Sequence, residues 1–160
     1  MRNTDPRVSK TQVAVVSASE GSLYLRNTYG LRLENRDCYS FMYCSGVARD
    51  GDSTTTGMYA VGSHKFRELD PETVAGKAVH EAVSQLHAAP VASGKYRVAL
   101  DREAMGDLLA TFCGMFSAEN VQQQLSLLGG KEGTVIASPV VTLVDDPLLP
   151  GGLASCPFDA

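Results

Sequence analysis

The chain has 160 residues, 44% hydrophobic and 20% charged, the balance of a soluble globular protein with room for one domain or pieces of two. A net charge of −4 and a pI near 5.3, with no basic cluster, argue against a nucleic-acid surface, whose affinity rests on Lys and Arg neutralising phosphates. No apolar run approaches the roughly 18 residues that span a bilayer, and the start Met1-Arg2-Asn3-Thr4-Asp5-Pro6 carries no signal-peptide stretch, so the expected compartment is the cytoplasm.

The first part of the chain reads as β. Thr11–Ser17 is a β-branched run, and Ser22–Asn27 alternates apolar with polar before the turn Thr28-Tyr29-Gly30 and Leu31-Arg32-Leu33. Short alternating strands with glycine turns suit an antiparallel meander with one wet face. Asp37–Ala48 has bulky residues on both phases, which predicts cover on both sides. Asp50-Gly51-Asp52 reads as a hairpin turn, with Thr54–Gly62 as the returning strand.

Asp70-Pro71-Glu72 then places an N-cap before a proline suited to the first helical position. Val74, Ala78, Val79, Ala82, Val83 and Leu86 recur at helical spacing until about His87. Beyond Pro90 and Gly94 the order expected is a strand at Tyr96–Leu100, a helix over Glu103–Phe116 capped by Asp101, a helix over Glu119–Leu128 and a strand at Pro139–Val144. The acidic turn Asp145-Asp146-Pro147 and a Pro/Gly-rich tail follow. That tail carries apolar residues without a closing helix or strand, so the chain is expected to stop inside a longer protein. The fold class is α+β.

Candidate chemistry is sparse. His80-Glu81 begins a zincin-like HExxH, but the position four on is Ser84, and His87 lies about 10 Å further along a helix axis. These residues read as the solvated face of an ordinary helix. Asp145 and Asp146 point apart on extended backbone, so a turn-forming role is preferred to acid–base work. Ser53-Thr54-Thr55-Thr56 lacks a nucleophile elbow. Gly129-Gly130-Lys131 lacks both the upstream glycine and the following Ser/Thr of a phosphate loop. Cys113 fits an apolar helix better than a nucleophile's setting. With Cys38, Cys44 and Cys156 it forms no CxxC pair, and buried reduced thiols are expected.

Three stretches carry a resemblance to the TldD/PmbA family, once described as modulators of DNA gyrase. Lys95-Tyr96-Arg97-Val98-Ala99-Leu100 leads into a helix with Gly106 and Leu108-Leu109. Val121–Lys131 and Gly133-Thr134-Val135 lie where the family has its S-x-L-x-x-K-x-G passage. Most specific is Val141–Ala160, VTLVDDPLLPGGLASCPFDA, similar to the PmbA-type T-L-V-D-D-P-L-L-P-G-G-L-G-S-x-P-F-D-D-E-G. Asp5-Pro6-Arg7-Val8 and Thr28-Tyr29-Gly30 resemble the family's earlier strands more loosely.

The resemblance implies that residues 1–92 are the last part of the family's N-terminal domain, antiparallel strands plus a helix. Residues 93–160 would be the beginning of its C-terminal domain, strand–helix–helix–strand. It also implies a zinc metallopeptidase family whose active branch carries HExxxH on the helix after the Tyr96–Leu100 strand. That motif falls on Ala110, Thr111 and Met115 here. Alanine has no ligand atom, threonine is no carboxylate base and a Met thioether is a poor zinc ligand. No catalytic or metal-binding residue is therefore assigned in this chain, and zinc is expected in a TldD-like partner. The role implied is a non-catalytic PmbA/TldE-type subunit, paired with a TldD-like catalytic subunit or forming a homo-oligomer, that acts on peptides with no nucleic-acid or membrane partner. The alternatives are a stand-alone regulator of the gyrase-modulator type, or a metallopeptidase whose site lies outside this chain.

Overall fold

The structure is a computed structural model that describes Met1 and residues 3–158. The chain divides into two compact units, Met1–Pro90 with Asp145–Ala160, and Val91–Val144.

In the first unit three antiparallel strands, β1 (Val8–Arg26), β2 (Arg32–Asp50) and β3 (Ser53–Ser63), form one sheet in chain order. The two segments read as separate strands before residue 28 are one 19-residue strand, because nothing at Ala18–Gly21 interrupts pairing with Asp37–Ser40. The β1–β2 turn is closed by Asn27, whose Oδ1 accepts from the amides of Tyr29 at 2.9 Å and Leu31 at 3.1 Å, with Gly30 at φ +92°. The β2–β3 turn uses Gly51 at φ +55°. β3 reaches only as far as Ser40 of β2, so Arg32–Tyr39 pairs with β1 alone and projects as a two-stranded ribbon.

Helix α1 (Pro71–Ser84) covers one face of this sheet. Asp70 starts it, accepting from the amides of Glu72 and Thr73 at 3.1 Å each, and Pro71 takes the first helical position. Val74 and Ala78 pack with Met42, Cys44 and Leu69 into the core, joined at its margin by Tyr59 and Val61. Cys44 is buried as expected, whereas Cys38 and Cys113 are exposed and Cys156 half-buried. Helix α1 covers Asp37–Ala48 on one side only, although Ser45 on the other face is also buried. Met42 and Cys44 face α1, while Tyr39, Phe41 and Tyr43 line the other face with successive ring centroids 6.4 Å apart. The bulky residues on both phases thus mark a core face and an aromatic stripe.

Two glycines record how tightly this unit is packed. A Cβ on Gly57 would stand 2.1 Å from the Ala82 nitrogen and 2.3 Å from the Ala78 carbonyl, so α1 rests on bare backbone there. A Cβ on Gly62 would meet the Tyr39 ring instead.

The second unit contains α2 (Arg102–Phe112), a 3-10 turn at Cys113–Phe116 and α3 (Ala118–Gln122). Asp101 caps α2 by accepting from the Ala104 amide at 2.8 Å. Four expectations are corrected here. Tyr96–Leu100 and Pro139–Val144 form no strand, because a strand is defined by ladder bonds and neither segment finds a partner among the described residues. The Glu103–Phe116 helix gives way to the 3-10 turn at Cys113, where Gly114 weakens helical propagation. The Glu119–Leu128 helix stops at Gln122, since Gln124 turns to φ +60° and the Leu125 amide closes on the Asn120 carbonyl at 2.8 Å. The α+β class itself holds.

Candidate functional site

Ala110, Thr111 and Met115, where the family resemblance leads one to expect the HExxxH motif, lie at the end of α2 and in the turn after it. Ala110 and Thr111 are exposed on the last turn of α2, and Met115 sits half-buried in the 3-10 turn. The Thr111 hydroxyl donates to the Asp107 carbonyl at 2.8 Å, the back-bonding usual for threonine inside a helix. The turn is held by side chains from downstream. Asn120 donates its amide to the Gly114 carbonyl at 2.7 Å, and Ser126 donates its hydroxyl to the Met115 carbonyl at 2.6 Å.

Beside Met115 lies an open groove of about 580 Å³, lined by Phe116, Val121, Leu128 and Ile136 together with Lys131 and Glu132. The lining mixes these apolar side chains with Gln122, Lys131, Glu132 and Thr134. The zinc implied by the family does not fit the donor set at 110, 111 and 115. Ala110 offers no atom, Thr111 has its hydroxyl directed to backbone, and Met115 offers a weak soft donor. Among the described residues no three His, Cys, Asp or Glu side chains gather as a metal site.

The other sequence candidates are scattered. His80 and Glu81 are exposed on α1. His87 lies past the helix at φ +60°, its Nε2 3.0 Å from Asp50 Oδ2 and its amide donating to Ser53 Oγ at 3.0 Å, so it fastens the helix end to the β2–β3 turn. Asp146 Oδ1 accepts from the Leu148 amide at 3.0 Å, forming a turn. Gly130 turns the chain at φ +70°, and the Lys131 amide is bonded to the Leu128 carbonyl at 3.1 Å. Sequence reasoning passed over His64. Its ring meets the Cys38 carbonyl, Asp37 and, across 88 residues, the Gly152 carbonyl, a separation no local pattern encodes.

The comparisons with known proteins bear on the same residues. Residues 1–86 match the model of the PmbA/TldA metallopeptidase central domain, and residues 93–160 match that of the C-terminal domain. The chain belongs to the PmbA/TldD metallopeptidase family. A metalloprotease of Methanothermobacter thermautotrophicus is 30% identical over 158 residues, which cover 96% of this chain and 34% of that protein. A metalloprotease of Methanocaldococcus jannaschii is 26% identical over 98% of this chain and 35% of its own length. The crystal structure of a Thermotoga maritima protein, named as a candidate modulator of a DNA gyrase, superposes with a TM-score of 0.90 at 33% identity. It covers 99% of this chain and 37% of that one. The chain thus spans about a third of the length of the PmbA/TldD relatives it matches.

Proposed function

We propose that this chain is part of a PmbA/TldE-type subunit that does not itself hydrolyse peptides but completes a zinc-metallopeptidase assembly. The observation that carries this reading is the replacement of the motif positions by Ala110, Thr111 and Met115. Two lost ligands and a lost base remove the means of polarising a scissile carbonyl and activating water. The partner is a TldD-like catalytic subunit, or further copies of the parent protein, and the substrate is a peptide. The working place is the cytoplasm. The division between the family's two domains is taken to lie between residues 92 and 93, a reading supported by the separate family matches over 1–86 and 93–160.

The test is peptide hydrolysis by the full-length parent, alone and mixed with a TldD-like protein from the same cell, with and without a chelator. Activity confined to the mixture and abolished by chelator is expected. Chelator-sensitive activity from the parent alone, or one zinc held per parent chain, would sink the reading. A second reading, a stand-alone gyrase modulator, is supported by the name of the Thermotoga maritima protein. It requires co-purification with gyrase and not with a TldD-like protein.

A further inference from the structure

The segment after Asp145 is a closed loop in its own right. The Cys156 amide donates to the Pro147 carbonyl at 2.9 Å, the Gly152 amide to the Leu149 carbonyl at 3.0 Å, and the Ser155 hydroxyl to the Leu149 carbonyl at 2.7 Å. Gly151 turns it at φ +74°, and a Cβ on Gly152 would press against Ser155 Oγ. From this loop the Gly152 carbonyl reaches His64 Nε2 at 3.1 Å. The other ring nitrogen, Nδ1, faces the Cys38 carbonyl at 2.7 Å and Asp37 Oδ1 at 3.1 Å.

A carbonyl oxygen only accepts. A neutral imidazole has one N–H, so it can serve one of the two carbonyls and must turn a lone pair towards the other. Both contacts are satisfied together only by the imidazolium. We propose that His64 is a protonation-dependent latch: the imidazolium ties the Asp146–Cys156 loop to β2, and the neutral ring lets it go. The nitrogen that gives up its proton is Nε2, since its bond is the longer of the two and the Asp37 carboxylate holds the proton on Nδ1.

The surroundings agree. The Cys38 carbonyl, then that of Gly152, raise the His64 pKa above the ordinary histidine value against partial desolvation, and Asp37 adds to the rise. The titratable groups at the ring are the Asp37 carboxylate and the Cys38 thiol, whose Sγ donates to the His64 carbonyl at 3.1 Å. On the adjoining 3-10 turn Lys65 and Glu68 pair with each other at 3.2 Å, and the loop presents the Gly152 carbonyl. Because the folded-state value is raised, the tether is complete below the ordinary histidine value and is lost as pH rises through the raised one.

The experiment follows the His64 ring nitrogens by long-range proton–nitrogen NMR across pH, together with amide exchange of Gly151–Cys156 corrected for intrinsic rates. Both nitrogens are expected to be protonated at about pH 6, and loop protection falls about fivefold as His64 titrates, the order expected for one charge-assisted hydrogen bond at a half-exposed site. Asp37→Asn moves both midpoints down together, and His64→Gln removes the pH dependence of loop protection. Titration of His64 at the ordinary histidine value, or loop protection that does not follow the His64 curve, overturns the proposal. The wild-type curves decide this even where a variant fails to fold.

Discussion

At the scale of single residues, the sheet contains two glycines whose substitution separates backbone walls from side-chain walls. Gly57→Ala drives a methyl into the Ala78 and Ala82 backbone of α1, which cannot yield without lifting the helix. We expect a loss of about 2–3 kcal/mol in urea unfolding, the upper part of the overpacking range. Gly62→Ala meets the Tyr39 ring, which can rotate away, so its cost is smaller. Equal costs for the two variants would contradict this account. Asp70 is a second case. The Thr73 hydroxyl, followed by the Glu72 amide, holds its carboxyl below the usual range, so the carboxylate's contribution to stability is present above the ordinary carboxylate value. It is lost as pH falls through the lowered value. Asp70→Ala should lower the melting temperature by about 4–8 °C near neutral pH. The difference from wild type should narrow as pH falls below the ordinary carboxylate value and close only below the lowered one. A difference that persists in acid would place the effect outside the cap.

At the scale of elements, α1 is held by few residues. Val74, at 2% exposure, is its largest fully buried side chain, and Val74→Ala should cost about 2 kcal/mol, read from the urea midpoint at constant slope. The β1–β2 ribbon is a different case. Beyond Ser40 it has two strands and, among the described residues, no covering helix, and Leu23 and Tyr24 stand 45% and 59% exposed. Two-stranded ribbons are marginal in water without a packed face. Amides of Leu23–Arg26 and Leu33–Arg36 should therefore exchange faster than those of Met42–Ala48, which α1 and β3 enclose. Uniform protection along β1 and β2 would mean that something covers the ribbon. The helix was legible from Asp70-Pro71 and the period of Val74, Ala78 and Ala82, because caps and periodicity are local. The single long β1 was less so, since Gly21 and the serines around it read as a break until pairing with β2 overrides them.

At the scale of the molecule, the two units differ in what they bury. The first encloses Met42, Cys44, Leu69, Val74 and Ala78, while no described residue of Val91–Val144 is buried. Leu125, Leu127, Val135 and Val140 are each at least 72% exposed. Burial of apolar surface is the main source of stability, so the 160-residue chain should not unfold in one cooperative step. Exchange measured through a denaturant series is expected to release residues 91–144 first and Met42–Ala82 last. A single sharp transition shared by both regions in a monomer would contradict the division.

What the sequence by itself determined is local. Thr28–Gly30 and Asp50–Asp52 turn the chain, and Asp70 starts a helix. Each of these rests on atoms within a few residues of one another. Only the tertiary structure decided that Tyr96–Leu100 and Pro139–Val144 find no strand partner among the described residues, that Gly57 lies under the Ala78–Ala82 backbone, and that His64 meets the Gly152 carbonyl. Strand pairing, close backbone approach and a long-range side-chain hydrogen bond depend on partners distant in sequence, and local propensity carries no record of which partner the fold supplies.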